Sequence, residues 1–110
     1  MKEKFGQYIR KLRTDNNYTL TQLAAKLGVD SGALSKIETG KRQLNEKLLS
    51  RLAEVFDLNE MDVRNEYYAD LIATILLERN CSDEVITLAT KKVIYRRNKG
   101  ISQGKIGFAN

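Results

Sequence analysis

The chain has 110 residues, 42% of them hydrophobic, with no histidine, no proline and one cysteine, Cys81. Such a length folds as one domain or as a domain with an extension; the composition excludes an internal disulfide, a thiolate metal cluster and histidine-based catalysis or metal ligation. The net charge of +5 is uneven, with +4 on residues 1–57, −3 on 58–80 and +4 on 81–110, so basic flanks enclose an acidic middle and suit a polyanionic partner.

Helical spacing governs every periodic segment, and the expected fold class is all-α. The first helix runs from about Lys2 to Thr14, with Phe5, Ile9 and Leu12 facing inward and Asn16-Asn17 as its stop. Thr19 and Gln22 form a capping-box pattern, so a second helix begins near Leu20. It carries Leu23, Ala24 and Leu27 on one face and ends at Gly28, where a residue without a Cβ enters the left-handed conformation freely. Asp30 caps a third helix through Leu34 and Ile37, which stops at Gly40.

Helices shorter than about 12 residues are marginal in water, so these two must be packed against something. The small Ala24 lets the second cross the first closely, which is the helix-turn-helix arrangement. A fourth helix after Asn45 carries Leu48, Leu49, Leu52, Ala53 and Phe56. The expected core is Phe5, Ile9, Leu12, Leu23, Leu27, Leu34, Ile37, Leu48, Leu52 and Phe56. Asn59 caps a fifth helix, from about Glu60 to Arg79. Ser82, Asp83 and Glu84 open a sixth that ends in Arg96, Arg97 and Lys99 before Gly100, with acids and bases at the ends the helix dipole favours. The remainder, 100–110, is glycine-rich and aperiodic, and a flexible tail is expected.

Tyr18, Thr19, Leu23, Ala24, Gly28, Val29, Asp30, Leu34, Ser35, Ile37, Glu38 and Gly40 stand at the offsets of a run reading roughly L-T-x-x-x-L-A-x-x-x-G-V-S-x-x-x-I-S-x-I-E-x-G. On these residues the chain resembles the Cro/C1-type (xenobiotic-response-element, XRE) helix-turn-helix regulators, restriction-modification controllers among them, over roughly residues 5–58. Leu20 departs from the pattern, standing where many members carry a glutamine that holds a DNA phosphate. Asn17 replaces the usual glycine after the first helix, and no proline follows Arg42. The resemblance implies a lambda-repressor-like helix-turn-helix bundle over 1–58; the periodicity beyond it adds a two-helix extension, a helical hairpin over 59–99 for which dimerisation is the expected role. The resemblance also implies that Glu38 pairs with an arginine of the first helix, Arg13 by position.

In a helix-turn-helix complex the amino-terminal residues of the second helix of the motif meet base edges in the major groove. Those positions are Ser31, Gly32, Ala33 and Ser35, which are small and poor in strong donors, so the helix alone discriminates modestly. Arg42, just beyond, is the candidate for a bidentate guanine contact. Thr19, Thr21, Lys36, Thr39 and Lys41 are candidates for phosphate contacts, which set register and salt dependence.

On the fifth helix Val63, Tyr67, Leu71 and Ile75 form one apolar stripe, and Tyr68, Ile72 and Leu76 an adjacent one. Either the last two helices close on themselves and on the bundle, or the face also pairs with its copy, Tyr67, Leu71 and Ile75 forming the dimer contact. The second reading yields a homodimer on a palindromic operator in double-stranded DNA.

Two function classes fit. One is a dimeric, sequence-specific transcriptional regulator, a repressor type acting at its own or a neighbouring promoter. The other is an antitoxin-type protein that binds its operator and masks a partner toxin. No catalytic constellation, metal site or cofactor is expected, nor a membrane span, and the expected location is the cytoplasm.

Overall fold

A computed structural model describes residues 3–102, with side chains to residue 100. Six α-helices follow in order: α1 Phe5–Asp15, α2 Leu20–Leu27, α3 Ser31–Glu38, α4 Leu49–Val55, α5 Glu60–Glu78 and α6 Glu84–Ser102; a 3-10 turn, Glu46–Leu48, leads into α4. No strand occurs among the described residues, and the all-α expectation holds. The chain divides into two compact units between Ala73 and Thr74. The region expected as a tail begins inside α6, which continues through Gly100 to Ser102; positions 103–110 lie outside the described residues.

Local chemistry sets the ends of the short helices. Thr19 Oγ1 accepts the Gln22 N–H at 3.1 Å while Gln22 Oε1 accepts the Thr19 N–H at 2.9 Å, the reciprocal cap that satisfies two amides a helix start otherwise leaves unpaired. Asp30 Oδ1 accepts the Ala33 N–H at 2.7 Å. At the exits of the two helices Gly28 sits at φ +79° and Gly40 at +81°, the left-handed region in which a Cβ is strained. Asn17 also adopts positive φ, +60°, as a polar residue of this type tolerates.

The core of the first unit joins Phe5, Ile9, Leu23, Ala24, Leu27, Leu34, Ile37, Leu44, Leu49, Leu52, Ala53, Val63 and Tyr67. α3 packs against α1 and α2, and α4 against α2. Three expected core residues, Leu12, Leu48 and Phe56, are only half-buried, and Leu44 and Leu49 are fully inside in addition to those expected. The 3-10 turn explains the exchange of Leu48 for Leu49. Its three residues per turn advance the chain by a different angle from an α-helix, so Leu49 rather than Leu48 arrives on the inner face. Val63 and Tyr67 extend the bundle into the first turns of α5, beyond residue 58.

Candidate nucleic-acid interface

The third helix is eight residues, about 12 Å at 1.5 Å per residue, close to the width of a major groove. Its sides differ sharply. Ala33, Leu34, Ile37 and Glu38 are buried, whereas Ser31, Gly32, Lys36 and the following Thr39 are exposed and Ser35 is half-exposed. Positions 31, 32, 35, 36 and 39 recur at i, i+1, i+4, i+5 and i+8, one continuous stripe on a 3.6-residue helix. Of the expected base-facing residues, Ala33 leaves this set: it is only 8% exposed.

The loop beyond the helix is held by backbone. The N–H groups of Lys41 and Arg42 both donate to the Lys36 carbonyl, at 2.9 and 3.2 Å, so the two cations follow the helix end in a defined turn. Arg42 and Lys41 are exposed. Arg42 lines a cleft of about 590 Å³ together with Asp30 and Ala33, which sets it beside the amino-terminal half of α3. Thr19 and Thr21 are exposed at the start of α2. Thr39 Oγ1 donates to the Ser35 carbonyl at 3.0 Å, so its hydroxyl hydrogen is committed to the helix end and its capacity to donate to a phosphate is correspondingly reduced.

One ion pair braces this surface from behind. Arg13 Nε donates to Glu38 Oε2 at 2.7 Å and Nη2 to Oε1 at 3.0 Å, while Nη1 donates to the Tyr18 carbonyl at 3.0 Å. The side chains are 13% and 5% exposed. The hydrogen bond to Glu38 holds the Arg13 guanidinium above its ordinary pKa, against the opposing effect of burial. The fork ties the last residue of α3 to α1 and to the residue before the α2 cap, so a glutamate in a basic region is structural here.

One feature that the residue pattern did not single out, and one it placed elsewhere, bear on this unit. A Cβ at Gly6 would run into the Ile37 carbonyl and lie 2.9 Å from the Glu38 carbonyl oxygen, so only glycine lets α1 approach the end of α3 this closely. A glycine inside an otherwise apolar-periodic helix was the available signal. Tyr67, expected on a dimer face, is 6% exposed and its hydroxyl donates to the Leu44 carbonyl at 2.7 Å, so its side chain is occupied within its own bundle. Leu71 is half-buried against the core, and Ile75 is 56% exposed. Among the described residues no group of three or more His, Cys, Asp or Glu is placed to hold a metal ion, and no helix is long and apolar enough to cross a membrane.

Residues 9–63, half of the chain, match the family described as Helix-turn-helix (HTH_3). The HTH-type transcriptional repressor RghR of Bacillus subtilis (strain 168) is 37% identical over 57 residues, 51% of this chain and 42% of its own length. The uncharacterized HTH-type transcriptional regulator YvzC of the same organism is 28% identical over 65 residues, 59% of this chain and 80% of its own. The chain thus spans less than half the length of RghR. Among solved structures, the clp gene regulator ClgR from Corynebacterium glutamicum matches with a TM-score of 0.51 and 27% identity over 68% of this chain and 80% of that one. With a capped eight-residue helix on each side of Gly28, an exposed stripe on the second, and the family match over the same residues, the chain belongs to the Cro/C1-type (XRE) family of DNA-binding helix-turn-helix transcriptional regulators.

Proposed function

We propose that the chain is a sequence-specific transcriptional repressor that inserts α3 into the major groove of double-stranded DNA and acts as a homodimer on a palindromic operator at its own or a neighbouring promoter. The observation that carries the reading is the exposed stripe of α3, which includes Lys36 and is followed by Lys41 and Arg42. Ser31, Gly32 and Ser35 meet base edges: serine bonds either kind of base, and glycine allows close approach without reading anything. Arg42 makes the bidentate guanine contact, worth about 1–3 kcal/mol of discrimination. Lys36 and Lys41, with the hydroxyls of Thr19, Thr21 and Thr39 as weaker partners, hold phosphates. Repression is supported by the relative named as a repressor.

The second copy is supported by the chemistry of the last two helices. No described residue of α6 is buried, and Ile75, Leu77, Val85, Ile86, Leu88, Ile94 and Tyr95 are all exposed. A helix gains its stability mainly by burying an apolar face, and the described side chains of α6 leave theirs largely exposed, which calls for a partner surface. The charges suit self-pairing, since 58–80 carry −3 and 81–110 carry +4. On α5, Leu71 and Ile75 share one stripe and are the dimer candidates, whereas Tyr67 serves the bundle.

Selecting bound sequences from a random duplex pool tests the reading. The expected product is two inverted half-sites about 34 Å apart. Arg42→Ala then relaxes preference at one position per half-site, and Lys41→Ala weakens all sequences alike. Binding that is absent at low ionic strength, or indifferent to changes from Ser31 to Lys36, refutes the proposal. Sedimentation of Ile75→Glu combined with Ile86→Glu should give monomers whose helix content falls as α6 loses its partner surface; a wild-type chain already monomeric at micromolar concentration would sink the dimer.

A further inference from the structure

We infer that Lys4 and Arg10, on the first turns of α1, form a second phosphate clamp that grips the DNA backbone beside the end of the reading helix. The inference rests on the docking of α3 proposed above. Because Gly6 lets α1 touch the backbone of Ile37 and Glu38, the amino-terminal part of α1 stands against the carboxyl end of α3. A cleft of about 350 Å³ opens there, lined by Lys4, Gln7, Arg10, Thr39 and Gly40 along with Gly6 and Glu38. Thr39 is also the last member of the exposed α3 stripe, and Lys41 follows Gly40, so the cleft continues the proposed DNA-facing surface.

The electrostatics favour an anion. Lys4 and Arg10 are both exposed, and the one carboxylate in the lining, Glu38, is neutralised by its fork with Arg13. Two amides at the start of α1 are already used, Lys4 N–H by Gln7 Oε1 at 3.0 Å and Phe5 N–H by Asp70 Oδ2 at 3.1 Å. Attraction therefore comes from the two side-chain cations rather than from the helix terminus. Two cations on a cleft wall recognise the repeating phosphate of a duplex without reading its sequence. The site accordingly adds affinity and fixes the angle at which α3 enters the groove.

Each cation–phosphate contact releases about 0.9 counterion, which at 0.1 M salt is worth roughly an eightfold change in affinity per half-site. Lys4→Ala and Arg10→Ala, measured in the full-length chain against its selected operator, should each weaken binding by that order and lower the slope of log K against log salt by about one per half-site. The sequence preference should not change. Lys11→Ala is the control: Lys11 sits on the same helix outside the cleft and pairs with Asp15 at 2.9 Å, so it changes net charge equally without touching the clamp. Methylphosphonate substitution of single operator phosphates supplies a second readout, because the phosphate that matters to wild type should cease to matter in the Lys4→Ala, Arg10→Ala double variant.

If wild type binds in a manner sensitive to Ser31 and Ser35 but the clamp variants match Lys11→Ala, the clamp is overturned and the docking of α3 stands. If wild type binds no duplex, both fall.

Discussion

Replacing Glu38 by glutamine keeps the volume of the side chain and removes its charge, which isolates the contribution of the ion pair behind the reading helix. In the native chain the carboxylate receives two hydrogen bonds from Arg13, at 2.7 and 3.0 Å, with the glutamate side chain only 5% exposed and the arginine 13%. The amide keeps one acceptor, but its NH2 group meets a guanidinium N–H where an oxygen was, so one hydrogen bond becomes a donor–donor conflict and the arginine charge is left uncompensated. Hydrogen bonds to charged groups are worth about 1.5–3 kcal/mol, and removing one partner of a buried pair costs about 3–5 kcal/mol. With one acceptor retained and Arg13 not wholly enclosed, a loss of about 2–4 kcal/mol is expected. Equilibrium urea unfolding of both proteins, followed by far-ultraviolet circular dichroism, measures it as a lower midpoint at unchanged slope. Glu38→Leu combined with Arg13→Met should recover most of the loss, since a buried pair exchanged for apolar side chains is often neutral. A Glu38→Gln loss below about 1 kcal/mol, or a double variant weaker than the single one, would refute this account of how α3 is held.

Gly6→Ala should destabilise by about 3 kcal/mol or more, because the added methyl meets backbone carbonyls of Ile37 and Glu38 rather than a movable side chain; an unchanged thermal midpoint would show that α1 does not press on the end of α3. Asp30→Ala should cost about 1 kcal/mol of stability and weaken operator binding, since the cap holds the first turn of the reading helix; calorimetry and gel shifts read the two effects, and their absence would remove the cap from both roles. Alkaline unfolding reports the tyrosines. Burial raises the phenol of Tyr67, burial likewise raises Tyr8, and the hydrogen bond to Glu46 foremost raises Tyr68. With folded values above the unfolded value of about 10, their contribution is intact below pH 10 and is lost as pH climbs through the folded values. Urea midpoints should therefore fall above pH 10, and less steeply in Tyr67→Phe; parallel profiles for variant and wild type would contradict that role for Tyr67.

The helices and caps of the reading unit were legible because their causes are local. A hydroxyl three residues before a glutamine, an aspartate before an apolar stripe and a glycine at each exit act through hydrogen bonds and φ angles spanning a few residues. The Arg13–Glu38 fork was anticipated from the family resemblance, not from spacing, since 25 residues separate its members.

By itself, then, the order of residues determined where α2 and α3 start and stop, and that charge and small polar residues gather on the second of them, because capping and periodicity are short-range. Which residues face inward at the joints was decided only by tertiary packing. The 3-10 turn puts Leu49 inside in place of Leu48, Ala33 is covered rather than exposed, and Tyr67 closes on the Leu44 carbonyl instead of facing outward. The last two outcomes depend on the angle and distance between elements far apart along the chain, and a periodicity confined to one helix carries no information about its neighbour. The approach of α1 to the end of α3 at Gly6, and with it the cleft between Lys4, Arg10 and Thr39, belongs to the same class.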